Sequence, residues 1–239
     1  MYYTKDQMRS LIQECRALGI DIVPEFDTPA HSLALTKVRP DLIYEETLAG
    51  VDHLNLHTKY DETISFVQSI FNEYMTGENP VFDQDTIIHV GTDEYDEKYK
   101  EDFRKYTDDM LKFVQDSGRT VRLWGSLSMR PGSTPVRSEG VQMNVWNVGW
   151  ANPNAMIQAG YDIINTDDTM LYIVPGVTRP GLVGPYYHDY LDTQWLYNNW
   201  NPTKFGSNVT VSADSQQLLG ATFAVWNDKS GMHSNGITE

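Results

Sequence analysis

The sequence predicts an α/β fold, a (β/α)8 TIM barrel, on three observations. Helix and strand signals alternate along the 239 residues, which implies right-handed βαβ units and a parallel sheet. No composition break, low-complexity linker or short repeat divides the chain, so residues 1–239 read as one domain. Polar or aromatic residues follow nearly every strand: Asp27 and His31, Asp93 and Glu94, Trp124, Trp146, Asp167 and Asp168, then Trp226 and Asp228. An open sheet places function at its switch point, whereas a barrel gathers all its strand ends on one face. The barrel accounts for the pattern.

The elements follow in order. Thr4 and Gln7 have capping-box spacing, and Met8, Leu11, Ile12, Cys15 and Leu18 recur with helical period until Gly19 stops the helix. Residues Ile20 to Asp27 read as a strand, with Pro24 near its end. Glu62 to Met75 form a helix with Ile64, Val67, Ile70 and Phe71 on one face. Ile87 to Val90 form a strand apolar enough to be buried on both faces. A helix over Lys98 to Gln115 leads to strands over Thr120 to Trp124 and Gly140 to Trp146. Pro153 to Ala159 form a short helix ended by Gly160, and strands over Tyr161 to Asn165 and Ala221 to Trp226 complete the set.

Composition narrows the function classes. A net charge of -15 argues against a nucleic-acid partner, since phosphate binding needs a basic face. No apolar run approaches the ~20 residues that cross a bilayer, and no signal peptide opens the chain, because Met1 to Thr4 lead straight into a helix. The single cysteine, Cys15, excludes an internal disulfide and reads as a buried thiol on the apolar side of its helix. The acids and histidines lack the spacing of zinc or calcium ligands, so no metal and no cofactor is expected.

The adjacent acids Asp93 and Glu94 carry the most chemical information. Neighbouring carboxylates at a strand end repel and lose hydration, a cost that a functional site can justify. The alternative is a helix N-terminus, because Asp96 and Glu97 follow and acids there complement the dipole. A pocket with several tryptophans and a few carboxylates suits a sugar: indoles stack on the C–H faces of pyranose rings while carboxylates accept from hydroxyls. Trp124, Trp146 and Trp226 each close a strand, where barrel enzymes place functional side chains. Trp150, Trp195 and Trp200 do not, and read as core packing.

Glycoside hydrolysis ordinarily uses two carboxyl groups roughly 5 to 9 Å apart. Asp93 and Glu94 have Cα atoms only ~3.8 Å apart, and on an extended backbone their side chains point to different sides. They cannot easily face each other across a bond. The nucleophile of such an enzyme is then the substrate's own 2-acetamido oxygen, a recognised exception to the two-carboxylate rule.

His89-Val90-Gly91-Thr92-Asp93-Glu94 resembles the His-x-Gly-Gly-Asp-Glu signature of glycoside hydrolase family 20, the β-N-acetylhexosaminidases. Pro24 to Ser32 resemble that family's Pro-Glu-x-Asp-x-Pro-Gly-His-Ser segment. The order of strand-end tryptophans and the closing Ala224 to Asp228 are similar too. The resemblance implies Glu94 as general acid and base, and Asp93 as the group that orients the acetamide and stabilises an oxazolinium ion. It implies that Tyr172 binds the acetamide oxygen and that Trp124, Trp146 and Trp226 wall the sugar subsite. Asp27 and His31 would be a hydrogen-bonded pair behind Glu94. The implied partner is a glycan containing N-acetylhexosamine, met in a secreted or cell-surface setting.

Three positions depart from the family pattern. Thr92 replaces a glycine, Val174 stands where many members have an aspartate, and Asp228 stands where many have glutamate. The last two resemble the branch with lacto-N-biosidases, which release a disaccharide whole. Asp167, Asp168 and Asp189 are candidates to restore lost sugar-hydroxyl contacts. Residues 4 to 18 match the helix before the family's third strand, so the six strands read as strands three to eight and the chain as truncated at both ends. Such a piece exposes strand edges and invites self-association. An inactive carbohydrate-binding module is the alternative from another class.

Overall fold

The structure, a computed structural model, describes residues 2–46, 52–174, 187 and 191–226. Contacts group the chain into two compact units, Met1–Gln142 and Met143–Glu239.

The first unit opens with α1 (Lys5–Ala17), whose Thr4–Gln7 capping box forms as the sequence predicts. β1 (Glu25–Thr28) is shorter than the expected strand and shifted to its end. Pro24 has no N–H to give a ladder, although its carbonyl accepts from His89 N at 3.0 Å. A short α2 (Leu33–Val38), absent from the sequence reading, follows. α3 (Tyr60–Met75) buries Thr63, Val67, Phe71 and Met75, one row at four-residue spacing. β2 (Ile88–Gly91) is buried at all four residues. α4 (Lys100–Asp116) buries Phe103, Tyr106, Thr107, Met110, Leu111 and Val114, and β3 (Val121–Trp124) follows.

β2 lies between β1 and β3 in parallel, with Glu25 opposite His89 and Ile88 opposite Val121. Phe71 of α3 meets Phe26 of β1 edge-on, ring centroids 5.0 Å apart, which seats this helix on the sheet. Arg119, 4% exposed, closes the base of the unit. Its guanidinium donates to the carbonyls of Met75, Phe82 and Asp83 at 2.8 to 2.9 Å. Cys15 is half-buried rather than buried, because Leu18 and Ile20 beside it stay 78% and 56% exposed.

β4 (Val141–Val145) spans the boundary of the units. The second unit continues with α5 (Pro153–Ala159), ended by Gly160 at φ 99 as predicted, then β5 (Asp162–Asn165), α6 (Asp168–Leu171), β6 (Tyr172–Ile173) and α7 (Thr193–Asn199). The single strand expected at residues 221–226 is two short ones, β7 (Leu218–Ala221) and β8 (Ala224–Val225). They pair in parallel with different partners, β7 with β5 and β8 with β6. Thr222 N donates to Asn165 O and Trp226 N to Ile173 O, which splits the run between two ladders. Trp195 is 47% exposed, so the core-packing expectation fails there: α7 buries none of its residues.

Candidate active site

In the first unit the ends of β1 and β2 meet at a glycine. A Cβ on Gly91, at φ +73, would lie 2.1 Å from Asp27 Oδ1 and 2.7 Å from the Asp27 Cα. Only glycine permits that approach. Thr92 and Glu94 follow with φ of 73 and 46, and His31 on the neighbouring loop has φ 52. Left-handed backbone at non-glycine residues stores strain and clusters at functional sites. The backbone at Glu94 is therefore not extended, as the sequence reading assumed.

Three acids and a histidine converge there. His31 Nε2 lies 3.1 Å from Glu94 Oε2 and 3.6 Å from Asp93 Oδ2. Asp93 is the more buried of the two acids, its side chain 15% exposed against 40% for Glu94. Asp27 Oδ1 and Asp93 Oδ1 are both buried and accept from no N–H or O–H donor among the described residues. The two carboxyl groups are hydrogen-bonded to each other. Burial, then the charge of Asp93, push the Asp27 carboxyl well above the ordinary carboxylate range. Burial also pushes Asp93 up, opposed by the attraction of His31 and the hydrogen bond from Asp27. Ligand-capable atoms of Asp27, His31 and Asp93 lie within 4.8 Å of one another.

The helix-terminus alternative for the acid pair does not hold. Asp96 is the capping acid, accepting from Lys98 N at 2.9 Å ahead of a short 3-10 turn, and α4 begins only at Lys100. Tyr95 anchors the segment instead: its hydroxyl donates to Leu54 O at 2.8 Å and accepts from Leu56 N at 3.2 Å. Its own carbonyl accepts from Arg130 Nε at 2.7 Å. The same loop meets the His31 segment, through Ser32 N to Asp52 O and Leu54 N to Pro29 O, each 2.8 Å. Sequence reasoning missed this bracing loop, which carries no motif. It also missed Glu25, whose Oε1 accepts from Trp124 Nε1 at 2.6 Å.

The second unit gathers the other candidates. Trp146 is 5% exposed and stacks obliquely on Trp150, centroids 5.6 Å apart. Tyr172, also 5% exposed, meets Trp226 edge-on at 5.8 Å and Tyr187 at 5.3 Å. Asp168 N donates to Trp146 O at 2.7 Å, which ties the ends of β4 and β5 together. Of the acids named for sugar hydroxyls, Asp167 is committed to structure: it accepts from Thr169 N and Thr169 Oγ1, and from Gly206 N at 2.9 Å. Asp168 accepts from Asn147 Nδ2 at 3.0 Å and keeps a buried Oδ1 with no donor among the described residues. Burial pushes its carboxyl up. Val174 is fully buried. Asp228 and Asp189 lie outside the described residues.

Comparison with known proteins places these features in context. The model of the glycosyl hydrolase family 20 catalytic domain matches residues 1–235. A lacto-N-biosidase of Bifidobacterium bifidum is 21% identical over 100% of this chain and 22% of its own length. A β-hexosaminidase of Emericella nidulans is 25% identical over 95% of this chain and 45% of its own length. A solved structure of the tandem GH20 catalytic modules in a pneumococcal exo-β-D-N-acetylglucosaminidase matches with a TM-score of 0.71 at 18% identity, over 96% of this chain and 58% of that one. The chain thus spans less than half the length of these two curated relatives. The structural likeness identifies the parallel strands and their helices as part of a (β/α)8 barrel.

Proposed function

Because this chain belongs to glycosyl hydrolase family 20, we propose that it acts in a retaining exo-glycosidase that removes β-linked N-acetylhexosamine by substrate assistance. The 2-acetamido oxygen attacks C1 while Glu94 gives its proton to the departing glycosidic oxygen. Water then attacks C1, Glu94 takes its proton, and the oxazolinium C–O bond breaks. Two inversions at C1 give net retention. Asp93 holds the acetamide N–H and faces the positive charge as it forms. Tyr172 binds the acetamide oxygen, and Trp124, Trp146 and Trp226 wall the ring. Asp27 and His31 hold the acid pair from behind.

The observation that carries this reading is the unequal setting of the two acids. Asp93 is buried and hydrogen-bonded to Asp27, as suits a group that orients. Glu94 is more exposed and touches His31, as suits a group that exchanges protons with leaving group and water. Departures at Val174 and Asp228 favour a second reading, lacto-N-biosidase, because each puts a less polar or shorter residue where the family pattern has an acid or a longer acid. The B. bifidum relative matched along the whole chain points the same way. Parallel assays on aryl β-N-acetylglucosaminide and aryl β-lacto-N-bioside decide between them, with activity on the monosaccharide expected. Turnover of the disaccharide alone overturns that choice and keeps the mechanism. Binding of a thiazoline oxazoline mimic without turnover of either identifies an inactive sugar-binding module.

A further inference from the structure

Glu25 belongs to the Pro24–Ser32 segment, yet the mechanism above gives it no task. It opens β1, and its register partner on β2 is His89. Its carboxylate reaches across β2 to the indole that closes β3: Trp124 Nε1 donates to Glu25 Oε1 at 2.6 Å. That is short for an N–H···O bond and marks a charge-assisted one. His89 lies beneath, its ring 5.0 Å from that of Trp124. His89 Nδ1 also comes within 3.7 Å of Glu25 Oε1, but it accepts the Gly91 N–H at 3.0 Å. With its lone pair taken by that N–H, this nitrogen has no proton to give the carboxylate. Partial burial pushes the Glu25 carboxyl up, and the bond from Trp124 pulls it back toward the ionised form.

A tryptophan side chain at a strand end has several staggered settings, and a half-turn about its second torsion carries Nε1 to the other side. The bond to Glu25 selects one of them. Trp124 is 7% exposed, so little of the ring is free to adjust once that setting is fixed. We propose that Glu25 is the positioning residue for Trp124, holding the indole in the orientation that forms the wall of the acetamide subsite. The inference rests on the function proposed above, and it assigns Glu25 to substrate fit rather than to proton transfer.

The test is a double-mutant cycle read by thiazoline affinity and by kcat and KM on an aryl β-N-acetylglucosaminide. Glu25→Leu should weaken thiazoline binding about 10-fold or more and lower kcat/KM in proportion, a loss typical of a charge-assisted bond. Glu25→Gln keeps an acceptor and should stay within about threefold of the parent. In a Trp124→Phe background, which has no indole N–H, Glu25→Leu should cost less than about twofold further. Equal losses in both backgrounds, or a Gln variant as impaired as Leu, would overturn the proposal. Should Glu25→Leu not fold, the Gln variant against Trp124→Phe and their combination carries the same comparison. A parent protein that binds no thiazoline removes the function and this inference together. A parent that binds it while Glu25→Leu is neutral removes this inference alone.

Discussion

His31 Nε2 lies 3.1 Å from Glu94 Oε2 with both residues in left-handed backbone, at φ 52 and 46. Neither conformation is cheap for a side chain with a Cβ, so each must be held by its surroundings. The Asp52–Leu56 loop supplies the hold by bonding to Pro29 and Ser32 on one side and to Tyr95 on the other. The contact between imidazole and carboxylate is thus a product of tertiary bracing.

Glu94→Gln should lower kcat by several orders of magnitude on substrates with poor leaving groups and far less on activated aryl glycosides, whose departure needs little protonation. Kinetics on a matched leaving-group series measure this. Equal losses along the series would take the acid role away from Glu94.

Asp27→Asn should flatten the dependence of stability on pH. The folded state holds the Asp27 proton above the ordinary carboxylate range, while the unfolded chain releases it near a pKa of about 3.9. Between those points the native state binds more protons, so stability falls as pH rises through the folded value. Asparagine cannot lose that proton and can still donate to Asp93. Urea midpoints from pH 4 to 9 should decline less in the variant; parallel curves would show that Asp27 is already ionised.

Thr92→Gly should raise stability by about 1 kcal/mol. A β-branched residue at φ 73 carries strain of about 1–3 kcal/mol, and the buried Thr92 Oγ1 has no partner among the described residues, which adds a desolvation cost. Against this stand the lost packing and the freer unfolded chain, about 1 kcal/mol. Denaturant midpoints give the sign, and a clear loss would mean the side chain earns its place by packing.

Asp167→Ala should destabilise the second unit by about 2–4 kcal/mol, through the lost cap of α6 and the unsatisfied Gly206 N–H. Asp168→Asn, which keeps an acceptor for Asn147, should cost under about 1 kcal/mol. Thermal melts of the two variants side by side test the contrast.

The sequence made legible whatever local pattern decides. The Thr4–Gln7 cap and the apolar run of β2 appear where local pattern places them, and α3 buries Val67 and Phe71 as expected but Thr63 and Met75 in place of Ile64 and Ile70. Asp93 and Glu94 were findable because two acids at a strand end are costly. The rest depends on contacts between distant residues. Glu25 and Trp124 are 99 positions apart, and the Asp52–Leu56 loop has no composition that marks it as a brace. The split of residues 218–226 between two ladders was hidden because each piece is too short to show alternation. Trp195 was misread because burial of an aromatic is an average tendency, and α7 has no apolar face around it.

The close approach of Gly91 to Asp27 has a consequence for recombination between relatives. With a Cβ excluded by a 2.1 Å clash, the β1 and β2 motifs form one steric unit although α3 and long loops separate them in the chain. A chimera that imports the β2 segment from a homologue inherits that homologue's spacing between strands, and the host's β1 segment must match it. Crossover points placed between residues 32 and 87 should therefore yield misfolded progeny more often than points that keep both motifs from one parent.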